Sequence, residues 1–294
     1  MQTAELVMTQ PSRQMMEPAE VPAGIKTILV RIHDDEGLEN VLQIALSLGR
    51  AFGAHLHLLH VTAIEAYTVT DAFGTFVNAE IVQVLEEEAG NLKTRIERQL
   101  TGEDVAWDYE EVTGTLIPHL IQDAALADLV VVSRQPFERG FSTPAITLLG
   151  DLIHRSRTPL LVVGDGTDDF DPFGAVTVAW NGSYESANAL RLAVPLLKLA
   201  SRVRLVTVDE PKEGQFPSTT ALEYLSRHGV HAELHQRGRF MDTIEQEILD
   251  EAAKDGASYI VMGGYSHSRA GEFLFGGVTR SLLKKSPVPL FVAH

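Results

Sequence analysis

Residues Ala127-Asp-Leu-Val-Val-Val132 return 130 positions later as Ala257-Ser-Tyr-Ile-Val-Met262, and the same unbroken offset carries Thr158-Pro-Leu-Leu-Val162 onto Val288-Pro-Leu-Phe-Val292. A continuous apolar run of strand length, bounded by turn residues, is the trace of a strand buried on both faces, as in a parallel sheet covered by helices. An offset close to half of the 294-residue chain implies a duplicated domain, because solenoid repeats have periods of roughly 20 to 50 residues.

The segments between these blocks alternate strand-like and helical periods, the mark of βαβ units. In the first half, Ile28–Ile32, Leu56–Val61, Val105–Val112, 129–132 and 160–163 read as strands. Helical faces follow, such as Val41, Ile44, Ala45, Leu48 and Phe52 at spacings of three and four, and Ile81 to Leu100. The Thr- and Phe-containing stretch before Ile81 reads as a loop. In the second half, strands are expected at Ala175–Trp180, Val203–Val208, Val230–Gln236, Tyr259–Met262 and Leu290–Ala293, with helices between them. Pro195 falls within the first of these helices, expected over Ala189–Ala200, and should kink or shorten it. The expected organisation is a flexible leader over 1–24, a unit over 25–165, a Gly- and Asp-rich linker containing Pro172, and a second unit over 174–294. The fold class is α/β, two tandem five-stranded parallel-sheet units.

Composition narrows the function. Forty acidic against 24 basic side chains leave a formal charge of -16, which repels nucleic acid and anionic membranes. Without cysteine there are no disulfides, thiolate metal sites or cysteine nucleophiles. No stretch reaches the ~18 consecutive apolar residues of a membrane span, and the first 24 residues lack a basic start followed by an apolar block, so the expectation is a cytoplasmic protein.

In an open parallel sheet, ligands bind beyond the carboxyl ends of strands where strand order reverses. In the second half those positions hold Asn181-Gly182-Ser183, Val208-Asp209, Gly263-Gly264-Tyr265-Ser266 and Phe275-Gly276-Gly277-Val278. Glycines there let a backbone approach a ligand, and free amides at a helix start attract anions.

The runs Val176-Thr-Val-Ala-Trp-Asn-Gly-Ser183, Ile260-Val-Met-Gly-Gly-Tyr-Ser-His-Ser-Arg269, Phe275-Gly-Gly-Val-Thr-Arg280 and Ser286-Pro-Val-Pro-Leu-Phe-Val292 resemble the universal stress proteins of the UspA type, in tandem form. The resemblance covers nearly everything after the leader. It implies the adenine-nucleotide-binding α/β fold, antiparallel pairing of the two terminal strands as in family dimers, and a role in stress survival. ATP-binding members carry G-x2-G-x9-G-[ST]. Here Gly263 and Gly276 keep the first and third positions, Ser266 replaces the second glycine, and Gly277 replaces the hydroxyl residue. By the same resemblance Asn181 stands where an acidic residue holds the ribose, and Val208 beside the base. In the first half the register reads Ser133, Pro136, Ile146 and Thr147, so that half is not expected to bind ATP in the family's manner.

Other clusters read as structure. His55 and His57 share a strand face while His60 points away, and His231, Glu233 and His235 share another, but neither spacing matches a zinc signature, and no metal is assigned. Asp34-Asp35-Glu36 reads as a helix start. P-loop, H-E-x-x-H and G-x-S-x-G motifs are absent, and Ser266-His267 is not a triad. The expected function is a non-enzymatic binding or interaction module in which Asn181, Gly182, Val208, Gly263, Ser266, Gly276 and Gly277 hold ATP, another adenine nucleotide or a small anion weakly. The alternative is a nucleotide-hydrolysing or nucleotidyl-transferring enzyme using the same crevice, with Asp209 as metal-binding acid and Arg269 or Arg280 as charge stabiliser.

Overall fold

The computed structural model describes residues 24–63, 68–71, 74–77, 79–134, 145–164, 170–208, 214–238, 243–264 and 276–294. In the first unit, β1 (Thr27–Ile32), β2 (His55–Ala63), β5 (Trp107–Gly114), β6 (Leu129–Ser133) and β7 (Leu160–Val163) alternate with α1 (Leu38–Phe52), α2 (Ala79–Leu100), α3 (Leu116–Ala124) and α4 (Ala145–Ser156). The second unit repeats the order with β8 (Ala175–Ala179), β9 (Arg202–Val208), β10 (Ala232–Arg237), β11 (Ala257–Gly263) and β12 (Leu290–Ala293). Its helices are α5 (Tyr184–Leu197), α6 (Ser218–Arg227), α7 (Ile244–Asp255) and α8 (Gly277–Lys285).

The strands join into one ten-stranded sheet in the order β10-β9-β8-β11-β12-β7-β6-β1-β2-β5. Every pairing in it is parallel except the central one, where β12 meets β7 antiparallel, with Leu290 opposite Val162, Phe291 opposite Leu161 and Val292 opposite Leu160. The terminal strands thus meet within one chain in the sense that the family resemblance implied. Central strands are buried on both faces, which explains their unbroken apolar sequences: every residue of β6, β7 and β12 is buried. The edge strands β5 and β10 alternate with exposed residues instead.

Two apolar layers fill the space between sheet and helices. One holds the inner faces of α1, α2, α5 and α6, and the other those of α3, α4, α7 and α8. Each layer draws on both units. The duplication also extends to hydrogen bonds: Ser156 Oγ donates to Thr158 O and accepts from Thr158 N, and Ser286 does the same with Val288, 130 positions on.

Several expectations need correction. The loop expected before α2 contains β3 (Thr68–Asp71) and β4 (Gly74–Val77), an antiparallel pair. Its residues give the short alternation of an isolated hairpin, which reads from sequence as polar loop. α5 begins five residues earlier than expected because Ser183 Oγ accepts from Ser186 N and caps it, and ends at Leu197, three residues short of Ala200. Pro195 sits in the last turn of α5, where its missing amide costs only one hydrogen bond. β5 starts at Trp107, because Val105 instead packs into the core against Gly49 of α1. The leader over 1–24 lies outside the described residues except for Gly24.

Candidate functional site

Within each unit the strand order reverses beside its first strand, between β8 and β11 in the second. A cavity of about 180 Å³ opens there. Asn181 closes it after β8, Val206 and Val208 come from β9, Ile244 and Ile248 from α7, Met262 and Gly263 from β11, and Gly276 to Thr279 from the start of α8. Glu185 is the one charged side chain among the described lining residues.

The glycines divide by what surrounds them. A Cβ on Gly263 would stand 2.5 Å from Ser186 N and 2.6 Å from the carbonyl carbon of Glu185, so this glycine lets β11 end tightly against the start of α5. On Gly276 or Gly277 a Cβ would meet nothing within 4 Å among the described residues. Gly276 precedes α8 in extended conformation with no side-chain cap, and the first helical bond to it comes from Arg280 N. Among the described residues nothing therefore caps or covers the leading amides of α8, an arrangement suited to an anion.

Asn181 is exposed, and its Oδ1 accepts from Ser183 N at 3.1 Å, which leaves its amide nitrogen to offer. Gly182 does not line the cavity. Its φ of +72° turns the loop so that its carbonyl accepts from Phe216 N at 2.8 Å, and a Cβ would collide with Phe216 O at 2.5 Å. Asn181, Val208, Gly263, Gly276 and Gly277 thus share one cavity and Gly182 stands behind it. Ser266, Asp209 and Arg269 lie outside the described residues. Glu185, Ile244, Ile248 and Met262 were not read from the sequence as part of the site; for Ile244 and Ile248 the apolar face of α7 was the trace, and Glu185 in α5 and Met262 in β11 left none. On the other side of Trp180, a broader hollow of about 640 Å³ lies between α5 and α6, among Tyr184, Arg191, Phe216 and Tyr224.

In the first unit the corresponding place is filled differently. Ile28 pairs with Leu129 as Val176 pairs with Tyr259, so Arg31 stands where the second unit has Ala179, and Ser133 where it has Gly263. Both are buried. A hollow of about 590 Å³ opens instead between the ends of β1 and β2 and α2, lined by His33, Asp34, His60 and Arg95 among others. Burial pushes the His33 imidazole down to about 3 and that of His60 to about 4, and the charge of Arg31 adds to both shifts. Asp34 pairs with Arg95 at 2.5 Å and Asp35 Oδ1 accepts from Gly37 N, so this acidic run supports the loop entering α1. Gly37, not an aspartate, is the N-cap.

The expected histidine faces are as the strand alternation requires, but the second set is committed elsewhere. His235 Nδ1 lies 3.3 Å from Glu251 Oε2, and the fully buried Glu251 also accepts from Arg237 and Lys254. Burial alone would raise the Glu251 carboxyl, but the hydrogen bonds from Lys254, Arg237 and His235 bring it below its ordinary range.

The sequence model of the Universal stress protein family matches residues 24–164 and again 172–294. A solved universal stress protein from Archaeoglobus fulgidus DSM 4304 is similar over 91% of this chain and 97% of its own, at 16% identity and a TM-score of 0.69. A functionally unknown protein from Pseudomonas aeruginosa PAO1 is similar over 92% of both chains, at 15% identity and a TM-score of 0.59. At such identities the likeness concerns the fold. No curated protein matches by sequence.

Proposed function

The chain belongs to the universal stress protein family, whose domain it carries twice, and on that premise we propose that it is a non-enzymatic binding module. Its second unit takes ATP, another adenine nucleotide or a small anion between β8 and β11, and its first unit does not. We take the units as 25–165 and 174–294 and the compartment as the cytoplasm.

The observation that carries this reading is the start of α8 at the edge of the cavity, where no side chain caps the helix and a Cβ on Gly276 or Gly277 would meet nothing within 4 Å among the described residues. Phosphate oxygens accept from those amides, the ribose lies near the Asn181 amide, and the base lies beside Val208 among apolar walls. Ser266 completes the phosphate loop. Three features weaken binding. Gly277 lacks the hydroxyl donor, Glu185 places a negative charge on the wall, and about 180 Å³ is below the roughly 300 to 1,000 Å³ of established ligand pockets. The lost hydroxyl donor, together with Ser266 in place of the family's second glycine, corresponds to a ten- to a hundredfold loss relative to intact family sites, at about 1.4 kcal/mol per factor of ten.

Calorimetry with ATP tests it. The wild type should bind at one site and Gly276→Trp, whose side chain enters open space, should abolish the heat while leaving the fold intact. Binding that survives Gly276→Trp, or that maps to the first unit, overturns the assignment.

A further inference from the structure

β2 and β5 lie side by side in parallel, with His57 opposite Asp108 and Leu59 opposite Glu110. Because side chains alternate along a strand, His55, His57, Asp108 and Glu110 project from one face, the face that carries Leu59 into the apolar layer beneath α3. α3 runs back across that face and brings Asp123 of its last turn over the same spot. A ring nitrogen of His57 and one carboxylate oxygen each of Glu110 and Asp123 lie within 4.8 Å of one another.

His57 Nδ1 meets Asp108 Oδ2 at 2.7 Å, and Nε2 is turned to Glu110 Oε2 at 3.4 Å. Asp108 is itself steadied by His55 at 2.5 Å. A histidine whose one nitrogen is held by a carboxylate, so that the other points at a set of acidic donors, is the usual orientation of a metal-ligating imidazole. The charge balance gives a second, independent argument. Among the described residues, Asp108, Glu110 and Asp123 form no ion pair with any lysine or arginine, and the Asp123 side chain has no hydrogen bond at all. Two carboxylates whose oxygens lie within 4.8 Å of each other repel, and a cation between them would relieve that repulsion.

We propose that His57, Glu110 and Asp123 form a binding site for a divalent first-row transition ion of the zinc class, with Asp108 positioning His57. One imidazole nitrogen with two carboxylate oxygens suits zinc, whereas magnesium and calcium favour all-oxygen sets. The partial exposure of His57 and Glu110, at 21% and 50% of their side chains, leaves room for water to complete the coordination. The site sits near the amino ends of β2 and β5, in the other unit from the nucleotide crevice, so it stands or falls independently of that proposal.

The test uses the full chain after chelator treatment and dialysis, titrated with zinc chloride by calorimetry and with cobalt(II) by visible absorption. The wild type should bind one equivalent at this site and give cobalt d–d bands. Asp123→Asn and His57→Gln should each lose that equivalent or weaken it at least tenfold, and Asp108→Asn should weaken it by about ten- to a hundredfold, the usual cost of losing a supporting partner. His235→Gln, in the second unit, should bind as the wild type does. Circular dichroism of each variant separates lost binding from lost fold. Absence of binding by the folded wild type at about 100 μM zinc, or an equivalent retained by both Asp123→Asn and His57→Gln, overturns the proposal.

Discussion

Two histidines tie the acid stability of the first unit to its burial. His60 is 8% exposed, its Nδ1 has no hydrogen-bond partner among the described residues, and its imidazole is held near 4 by burial and then by Arg31, with Asp34 opposing. His33, held near 3, responds to the same causes. In the unfolded chain both titrate near 6.5. Below that pH the unfolded state binds protons that the folded state refuses, so the stabilisation is complete above about 6.5 and is lost progressively as the pH falls toward 4. For His60 alone the slope is at most about 1.4 kcal/mol per pH unit. Urea denaturation of the wild type and of His60→Gln between pH 7 and pH 4, compared as a difference, should show the variant losing less stability on acidification; parallel curves would contradict it. Glu251 follows with the same sign: hydrogen bonds from its cationic partners outweigh its burial and hold its carboxyl low, so its contribution is present at neutral pH and is lost as the pH falls and it protonates.

At the scale of elements, glycines that look alike in sequence do different work. Gly182 adopts φ +72° and faces the Phe216 carbonyl, so Gly182→Ala introduces left-handed strain of about 1–2 kcal/mol and a collision besides. Gly277 occupies the first turn of α8, where a Cβ would meet nothing within 4 Å among the described residues, and there alanine gains helix propensity of up to about 1 kcal/mol. Thermal or urea melts should therefore move down for Gly182→Ala and stay or rise for Gly277→Ala. Equal effects would mean that the two loops are not built as described. The same contrast explains why the nucleotide motif was only half readable: a glycine in the sequence does not say whether it admits a ligand or the chain's own backbone.

Across the whole molecule, the seam between β7 and β12 joins two five-stranded sheets into one. It leaves as edges only β5 and β10, whose charged residues suit exposed edges. Arg134 crosses this seam, donating from Nη1 to Ser286 O at 2.8 Å, and Gly164 leaves room for its guanidinium. Val162 and Val292 are almost wholly buried in the layer that both units share. Val162→Lys or Val292→Lys places an unpaired charge there, at a cost of about 3–5 kcal/mol, and should lower the denaturation midpoint and weaken the coupling of the two units. Unchanged melting of both variants would count against a stabilising seam.

What could be read along the chain was whatever depends on near neighbours in sequence. The apolar runs of β6, β7, β11 and β12 announced buried parallel strands, the 130-residue offset announced two units, and the period of α1 announced the face that it buries. The family's loop pattern led to Gly263, Gly276 and Gly277 because their spacing is kept within one strand, loop and helix. What depends on distant residues meeting was not readable. That Arg31 stands where Ala179 does, that His235 belongs to Glu251, and that His57, Glu110 and Asp123 converge from β2, β5 and α3 follow from strand register and helix return. Spacing within a segment records local periodicity, whereas ion pairs and ligand sets form between side chains that only packing brings within a few ångströms.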